Sequence, residues 1–158
     1  MEKTKLGVMS VEIPEGFYEL SEEERRSIKI QGKGEGSVFK DPDRRMFISI
    51  GWKKAGFMVR MLTSKDFAKS MEPRIDGSMR KYGYQFRTNI DRPIGGLDAS
   101  GFGYTYTAQD IAMYAESYAI KNGKLIYYIH FYINQEAKDE GQQTLNQILD
   151  SVEWEAQD

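Results

Sequence analysis

From Asp110 to Ile133 (DIAMYAESYAIKNGKLIYYIHFYI) two apolar runs of matching length flank Asn122-Gly123. That dipeptide tolerates the positive φ angles of a type I′ turn, so the stretch predicts a long β-hairpin with Lys121 facing Lys124. Side chains then alternate between two faces. One face pairs Ile120 with Leu125, Tyr118 with Tyr127, Glu116 with Ile129, Tyr114 with Phe131 and Ala112 with Ile133. The other pairs Ala119 with Ile126, Ser117 with Tyr128, Ala115 with His130 and Met113 with Tyr132. The first face is crowded with aromatics, whose cross-strand pairs each contribute roughly 0.2 to 1 kcal/mol over alanine pairs. The second sets small residues against large ones, which leaves room for a helix, so both faces are expected to be at least partly covered.

The same reading extends along the chain. Val8 to Ile13 is a short strand stopped by Pro14-Glu15-Gly16, and Ser21 to Glu24 has capping-box spacing for a short helix through Arg26. Ser37 to Lys40, the turn Asp41-Pro42-Asp43 and Arg45 to Trp52 form a second hairpin, with Met46, Ile48, Ile50 and Trp52 towards the core. Thr63 and Ser64 offer an N-cap to a helix whose stripe is Phe67, Met71, Ile75, Met79 and Tyr82. Pro73 is expected to kink or restart it near Met71. Strands follow at Tyr84 to Ile90 and Ala99 to Thr107, the latter with Phe102, Tyr104 and Tyr106 on one face. A last helix, about Gln135 to Leu149, has the buried stripe Ala137, Gly141, Leu145, Ile148 and Val152, and Gly141 implies close approach to the sheet. Val152-Glu153-Trp154 closes as a short strand.

The chain of 158 residues suits one domain spanning 1–158, able to bury roughly 70% of its unfolded surface. With 40% hydrophobic and 29% charged residues it reads as a soluble globular protein. No apolar run approaches the roughly 20 residues of a membrane helix. Absence of a secretory signal at Met1 to Ser10 makes the chain cytoplasmic if Met1 is the native start, and an envelope or secreted protein if a leader was removed. Net charge is −2, but Lys53 to Arg92 holds ten Lys and Arg against four Asp and Glu, a local +6. Asp110 to Asp158 holds three against nine, a local −6. Such a basic half either meets an acidic partner or complements the acidic end as a solvated face. It lacks the interleaved aromatic strands of single-strand binders, which disfavours nucleic acid.

The order of elements, Pro14-Glu15-Gly16-Phe17 after the first strand, the hairpin around Asn122-Gly123 and the ending Ile148-Leu149-Asp150-Ser151-Val152-Glu153-Trp154 resemble the PsbP-like superfamily. That superfamily includes the photosystem II extrinsic subunit, a Ran-binding import factor and bacterial DcrB-like proteins. The resemblance spans nearly the whole chain. It implies an α+β fold, an α/β/α sandwich with a central antiparallel sheet flanked by helices, and a binding or accessory role rather than catalysis. Phe17 stands where the family more often has Trp, and no site residue carries over.

Candidate chemistry is sparse. There is no Cys, which removes thiol chemistry and thiolate metal sites, and no cofactor motif is present. Gly32, Gly34 and Gly36 precede a strand rather than the helix a phosphate loop needs, so Gln31 to Val38 reads as a movable loop. His130, the only histidine, projects from the face opposite to Glu116, so the two form no dyad. Packing against tyrosines is the expected fate of that imidazole. Glu116 sits among aromatics, where a carboxyl group must accept from a Tyr hydroxyl, pair with an Arg, or belong to a ligand site. Three functions stay open. The first is a non-enzymatic accessory domain acting on an unknown protein partner through its sheet or its basic half. The second is a small-molecule or lipid-binding module with Tyr104, Tyr106, Tyr114, Tyr118 and Glu116 lining a cleft. The third is a hydrolase with scattered carboxylates, for which no spacing speaks.

Overall fold

Most of the long strands turn back on their predecessors through tight connections, so neighbours in sequence are mostly neighbours in the sheet. The computed structural model describes residues 3–27 and 35–156. Its strands are β1 (Lys3–Leu6), β2 (Met9–Glu12), β3 (Tyr18–Glu19), β4 (Glu35–Asp41), β5 (Met46–Lys54), β6 (Gln85–Ile94), β7 (Leu97–Ala108), β8 (Ile111–Asn122), β9 (Leu125–Asn134) and β10 (Glu153–Trp154). The α-helices are α1 (Glu22–Ser27), α2 (Ser64–Met79) and α3 (Lys138–Asp150). Seven strands form one antiparallel sheet in the order β3-β4-β5-β9-β8-β7-β6, and β1, β2 and β10 form a second, small sheet. The expected α+β sandwich around an antiparallel sheet is what the chain adopts. The small sheet shares the second outer layer with α3.

The central hairpin differs from its predicted register by two residues. Asn122 pairs with Leu125 and Lys121 with Ile126, so the turn residues are Gly123 and Lys124. Gly123 alone of the two has positive φ, 60°, the pattern of a II′ turn, which places glycine at the first central position. The amide of Ala55 also donates to the Lys124 carbonyl at 2.7 Å, fixing the tip from the neighbouring strand. A shift of two keeps every side chain on its predicted face, because the strand period is two. Glu116 therefore faces Phe131 rather than Ile129, and Tyr118 faces Ile129 rather than Tyr127.

Helix α2 carries the chain from β5 across the sheet to the far edge strand β6, packing over β7 and β8. Thr63 and Asp66 cap it reciprocally, the Asp66 amide donating to Thr63 Oγ1 at 3.2 Å and the Thr63 amide to Asp66 Oδ2 at 2.9 Å. Phe67 and Met71 bury against Phe102, Tyr104, Ala115, Ala119 and Ile126, the small residues leaving the space the helix fills. The expected restart at Pro73 does not occur. One lost amide bond costs less than breaking a helix already held to the sheet by its first two turns. Tyr82, predicted on the buried stripe, is exposed beyond the helix end.

On the opposite face, Leu145, Ile148 and Leu149 of α3 join Met9 and Val11 of β2 over Ile48, Ile50, Tyr118, Ile129 and Ile133. Tyr127 ties the small sheet down: its hydroxyl donates to the Leu6 carbonyl at 2.7 Å and accepts from the Val8 amide at 2.9 Å. Trp154 reaches across to donate from Nε1 to the Ile94 carbonyl at 2.9 Å. The predicted capping box at Ser21 and Glu24 forms at the start of α1. Edge strand β6 is interrupted by a bulge between Phe86 and Thr88 and by Pro93, features that discourage edge-on pairing.

Candidate functional site

The residues singled out for chemistry fall into two clusters divided by the sheet. Glu116 lies in the middle of β8, with Gly103 of β7 opposite. Tyr114 and Tyr118, two residues away on either side, share its face. Their rings lean over β7, where the backbone is bare: a Cβ at Gly101 would stand 2.7 Å from Tyr118 Cδ1, and one at Gly103 2.7 Å from the Tyr114 hydroxyl. Glycine in those two places lets both rings close on the acid. Tyr114 donates to Glu116 Oε2 at 2.7 Å and Tyr118 to Oε1 at 2.5 Å. Glu116 is 2% exposed and Tyr118 fully buried. Burial first, and then the neighbouring Glu116, push both phenols well above their ordinary range, so they act as donors. The Arg92 guanidinium also interacts with the Tyr118 hydroxyl, and it donates to Asn146 Oδ1 at 2.9 Å. Lys138 Nζ lies 4.4 Å from the centre of the Tyr114 ring.

Tyr104 and Tyr106 stand on the other face, in register with Ala115 and Met113. The five residues expected to line one cleft therefore do not share one, and the reason is the β7–β8 register rather than any local distortion. Four of them are buried, and Tyr106 is half-buried. Beside Tyr104 runs a chain of polar contacts that pattern reasoning missed. Ser117 Oγ meets His130 Nδ1 at 2.7 Å, and the Tyr104 hydroxyl lies 3.4 Å from the same Ser117 oxygen. Ser49 of β5 pairs with His130 from the other side. Once the β8–β9 pairing is known, Ser117 and His130 fall directly opposite each other, so correct register was the missing signal.

His130 is drawn down to about 4 by burial, so its imidazole is neutral at neutral pH. Ser117 is fully buried. A serine beside a histidine would suggest a nucleophile, yet this serine has no path to a substrate, and the acid in β8 is behind the sheet. Gly32 and Gly34 of the expected movable loop lie outside the described residues. Gly36 is part of β4. Among the described residues no group of three or more His, Asp or Glu is placed to hold a metal ion, and no helix is long and apolar enough to cross a membrane.

Two concavities stand out among the described residues. One, of about 420 Å³, lies between Thr63, Ser64 and Lys65 at the start of α2 and Asp91, Arg92 and Asp98 of the β6–β7 hairpin. The other, of about 300 Å³, has Leu62, Phe67 and Ile126 as apolar walls and Lys53, Lys54 and Arg74 as its charged groups. Neither contains Glu116 or His130.

No family model and no curated protein sequence matches the chain. Solved structures do. CyanoP, the PsbP of the cyanobacterium Synechocystis sp. PCC 6803, superposes with a TM-score of 0.73 at 11% identity over 98% of this chain and 92% of its own. LpqN of Mycobacterium tuberculosis, described as involved in cell envelope biogenesis, gives 0.61 at 14% identity over 92% and 82%. The Pseudomonas aeruginosa protein PA94 gives 0.52 at 13% identity over 93% and 92%. The chain has the PsbP-like fold.

Proposed function

We propose that this chain is a non-enzymatic accessory domain that binds a protein partner, using the end of its main sheet that α2 leaves open. The observation that carries this reading is the committed state of its reactive groups. Both oxygens of Glu116 accept from buried tyrosines, and the one histidine is neutral, packed and bonded to a buried serine. A general acid or base must exchange a proton with a substrate; both oxygens of Glu116 are already taken, and the hydroxyl bonded to His130 is itself fully buried. The PsbP-like fold agrees with an accessory role but does not specify one.

The partner surface we assign is the strip of β5, β7 and β9 beyond the helix. Phe47 and Tyr132 pair there and are half-buried, as is Tyr106. Lys40 Nζ lies 5.4 Å from the centre of the Phe47 ring. Half-buried aromatic groups are the residues that interfaces favour over plain surface. Of the five residues expected to form a ligand site, Tyr106 alone belongs to this strip.

A photo-reactive amino acid at position 47, with one at the exposed Gln143 of α3 as control, tests the assignment. One discrete adduct from position 47 in cells, weakened by Tyr132→Ala and absent from position 143, is expected. Turnover of any substrate by the purified chain that is abolished by Glu116→Gln or His130→Gln would refute the non-enzymatic reading.

A further inference from the structure

The two most exposed large apolar side chains of the described surface stand together, away from both clusters above. After β5 the chain makes a single 3-10 turn, Phe57–Met61, before entering α2. Phe57 is 81% exposed and Met61 89%, with Leu62 following at 38%. The turn is well anchored. Arg60 Nε donates to the Ala55 carbonyl at 3.3 Å, its amide donates to the Gly56 carbonyl at 3.2 Å, and Lys121 Nζ donates to the Arg60 carbonyl. Phe57 and Met61 therefore project from a fixed base.

Immediately beneath is the cleft of about 300 Å³. Its charged lining is wholly cationic, from Lys53, Lys54 and Arg74, and all three are exposed. Lys124, also exposed, sits at the adjoining hairpin tip, its carbonyl bonded to the Ala55 amide. The floor is apolar, made by Phe67 and Ile126. Exposed apolar side chains on a narrow tip, with cations set just behind them, match the layering of a bilayer surface: acyl chains deepest, anionic headgroups above. A protein partner would need an interface near 800 Å² on each side, roughly, and a five-residue turn supplies only a fraction of that.

We propose that this tip docks on an anionic phospholipid bilayer, Phe57 and Met61 entering the interface while Lys53, Lys54, Arg74 and Lys124 meet the headgroups. The surface shares no residue with the partner strip assigned above, so either assignment can fail alone. The experiment is flotation of the purified chain with vesicles of phosphatidylcholine containing one quarter phosphatidylglycerol, against vesicles of phosphatidylcholine only. Binding to the anionic vesicles is expected at low salt, with loss at about 0.5 M salt, where charges are screened within a few ångströms. Phe57→Ser with Met61→Ser should lower partitioning at least about tenfold. Lys53→Gln with Lys54→Gln should lower it about tenfold and flatten the salt dependence. All four residues are exposed, and the folded state of each double variant is checked by its unfolding midpoint. No binding of the parent chain at low salt, or undiminished binding by both double variants, would overturn the proposal. So would indifference to vesicles together with loss of self-association or of an acidic protein partner when Phe57 and Met61 are replaced.

Discussion

Removing one phenol from the Glu116 clasp should cost more than removing the whole clasp. Tyr118→Phe deletes the donor 2.5 Å from Oε1 in a site that is 2% exposed at Glu116 and closed at Tyr118, so water cannot substitute. Leaving a buried acceptor unpaired costs about 1–3 kcal/mol, and closure of this site puts the cost at the upper end, about 3 kcal/mol. Tyr114→Phe deletes the bond at 2.7 Å to Oε2, but Tyr114 is 7% exposed, so about 1–2 kcal/mol is expected. Glu116→Leu strands two buried hydroxyls at about 1–2 kcal/mol each. The triple variant Glu116→Leu, Tyr114→Phe, Tyr118→Phe strands none of the three groups. Replacing a satisfied buried polar cluster by apolar groups of similar shape is close to neutral, so the triple should lie within about 1 kcal/mol of the parent. Urea unfolding followed by the fluorescence of Trp52 and Trp154, both packed against the core, reads this directly. A loss of 2 kcal/mol moves the midpoint by about 1 M. The reasoning is refuted if the triple variant loses as much stability as the three single variants together.

His130 gives a pH test. Its folded value of about 4 lies below the ordinary 6.5, so the unfolded chain takes up the proton first and stability falls as pH drops from about 6.5 towards 4. At pH 5 the loss relative to pH 8 is about 2 kcal/mol, and it should vanish in His130→Gln, whose pH profile in urea unfolding is therefore flatter; parallel profiles would reject the assignment. Two helical glycines should answer alanine with opposite signs. Gly77→Ala meets nothing within 4 Å and should stabilise by about 0.5–1 kcal/mol, whereas at Gly141 a Cβ would meet the Ile133 side chain, with Cγ1 and Cγ2 each at 3.1 Å, and should destabilise by about 1–3 kcal/mol in the same assay. The turn between β7 and β8 holds Gln109 and Asp110 at φ 50° and 64°, so Gln109→Asn with Asp110→Gly should raise stability by about 1–2 kcal/mol; an unchanged thermal midpoint would contradict it.

That same turn explains what the pattern of residues could and could not deliver. Faces within one strand follow from alternation, and they held: Glu116 and His130 do lie on opposite sides. How one strand sits against the next depends on the connecting turn. Asn122-Gly123 is a strong hairpin signal that can be used in two registers, and the backbone chose glycine first. Gln109-Asp110 carries only a weak signal, since Asp110 tolerates positive φ but Gln109 is no turn former, so the side of the sheet to which Tyr104 and Tyr106 belong stayed hidden. Knowing that Ala108 pairs with Ile111 would have separated them from Tyr114 and Tyr118 at once. The tip was hidden for another reason. Phe57 and Met61 are apolar residues between a strand and a helix, and composition alone assigns such residues to a core.

A sheet covered on both faces leaves function to its ends. α2 roofs one face over β7 and β8, while α3 and the small sheet roof the other. Whatever is central in the sheet, Glu116 and Ser117 included, is thereby withdrawn from solvent and held by neighbours whose roles are packing and hydrogen bonding. The ends differ, because β5 and β9 run past their cover in both directions: Phe47 and Tyr132 emerge at one, Lys53 and Lys54 at the other. One strand pair thus presents an aromatic strip at one end and a basic, apolar-tipped cleft at the other, nearly the length of β5 apart. Phe47 and Lys53, on the same strand, lie about 20 Å apart, enough for the two proposed contacts to be made at once without either disturbing the core.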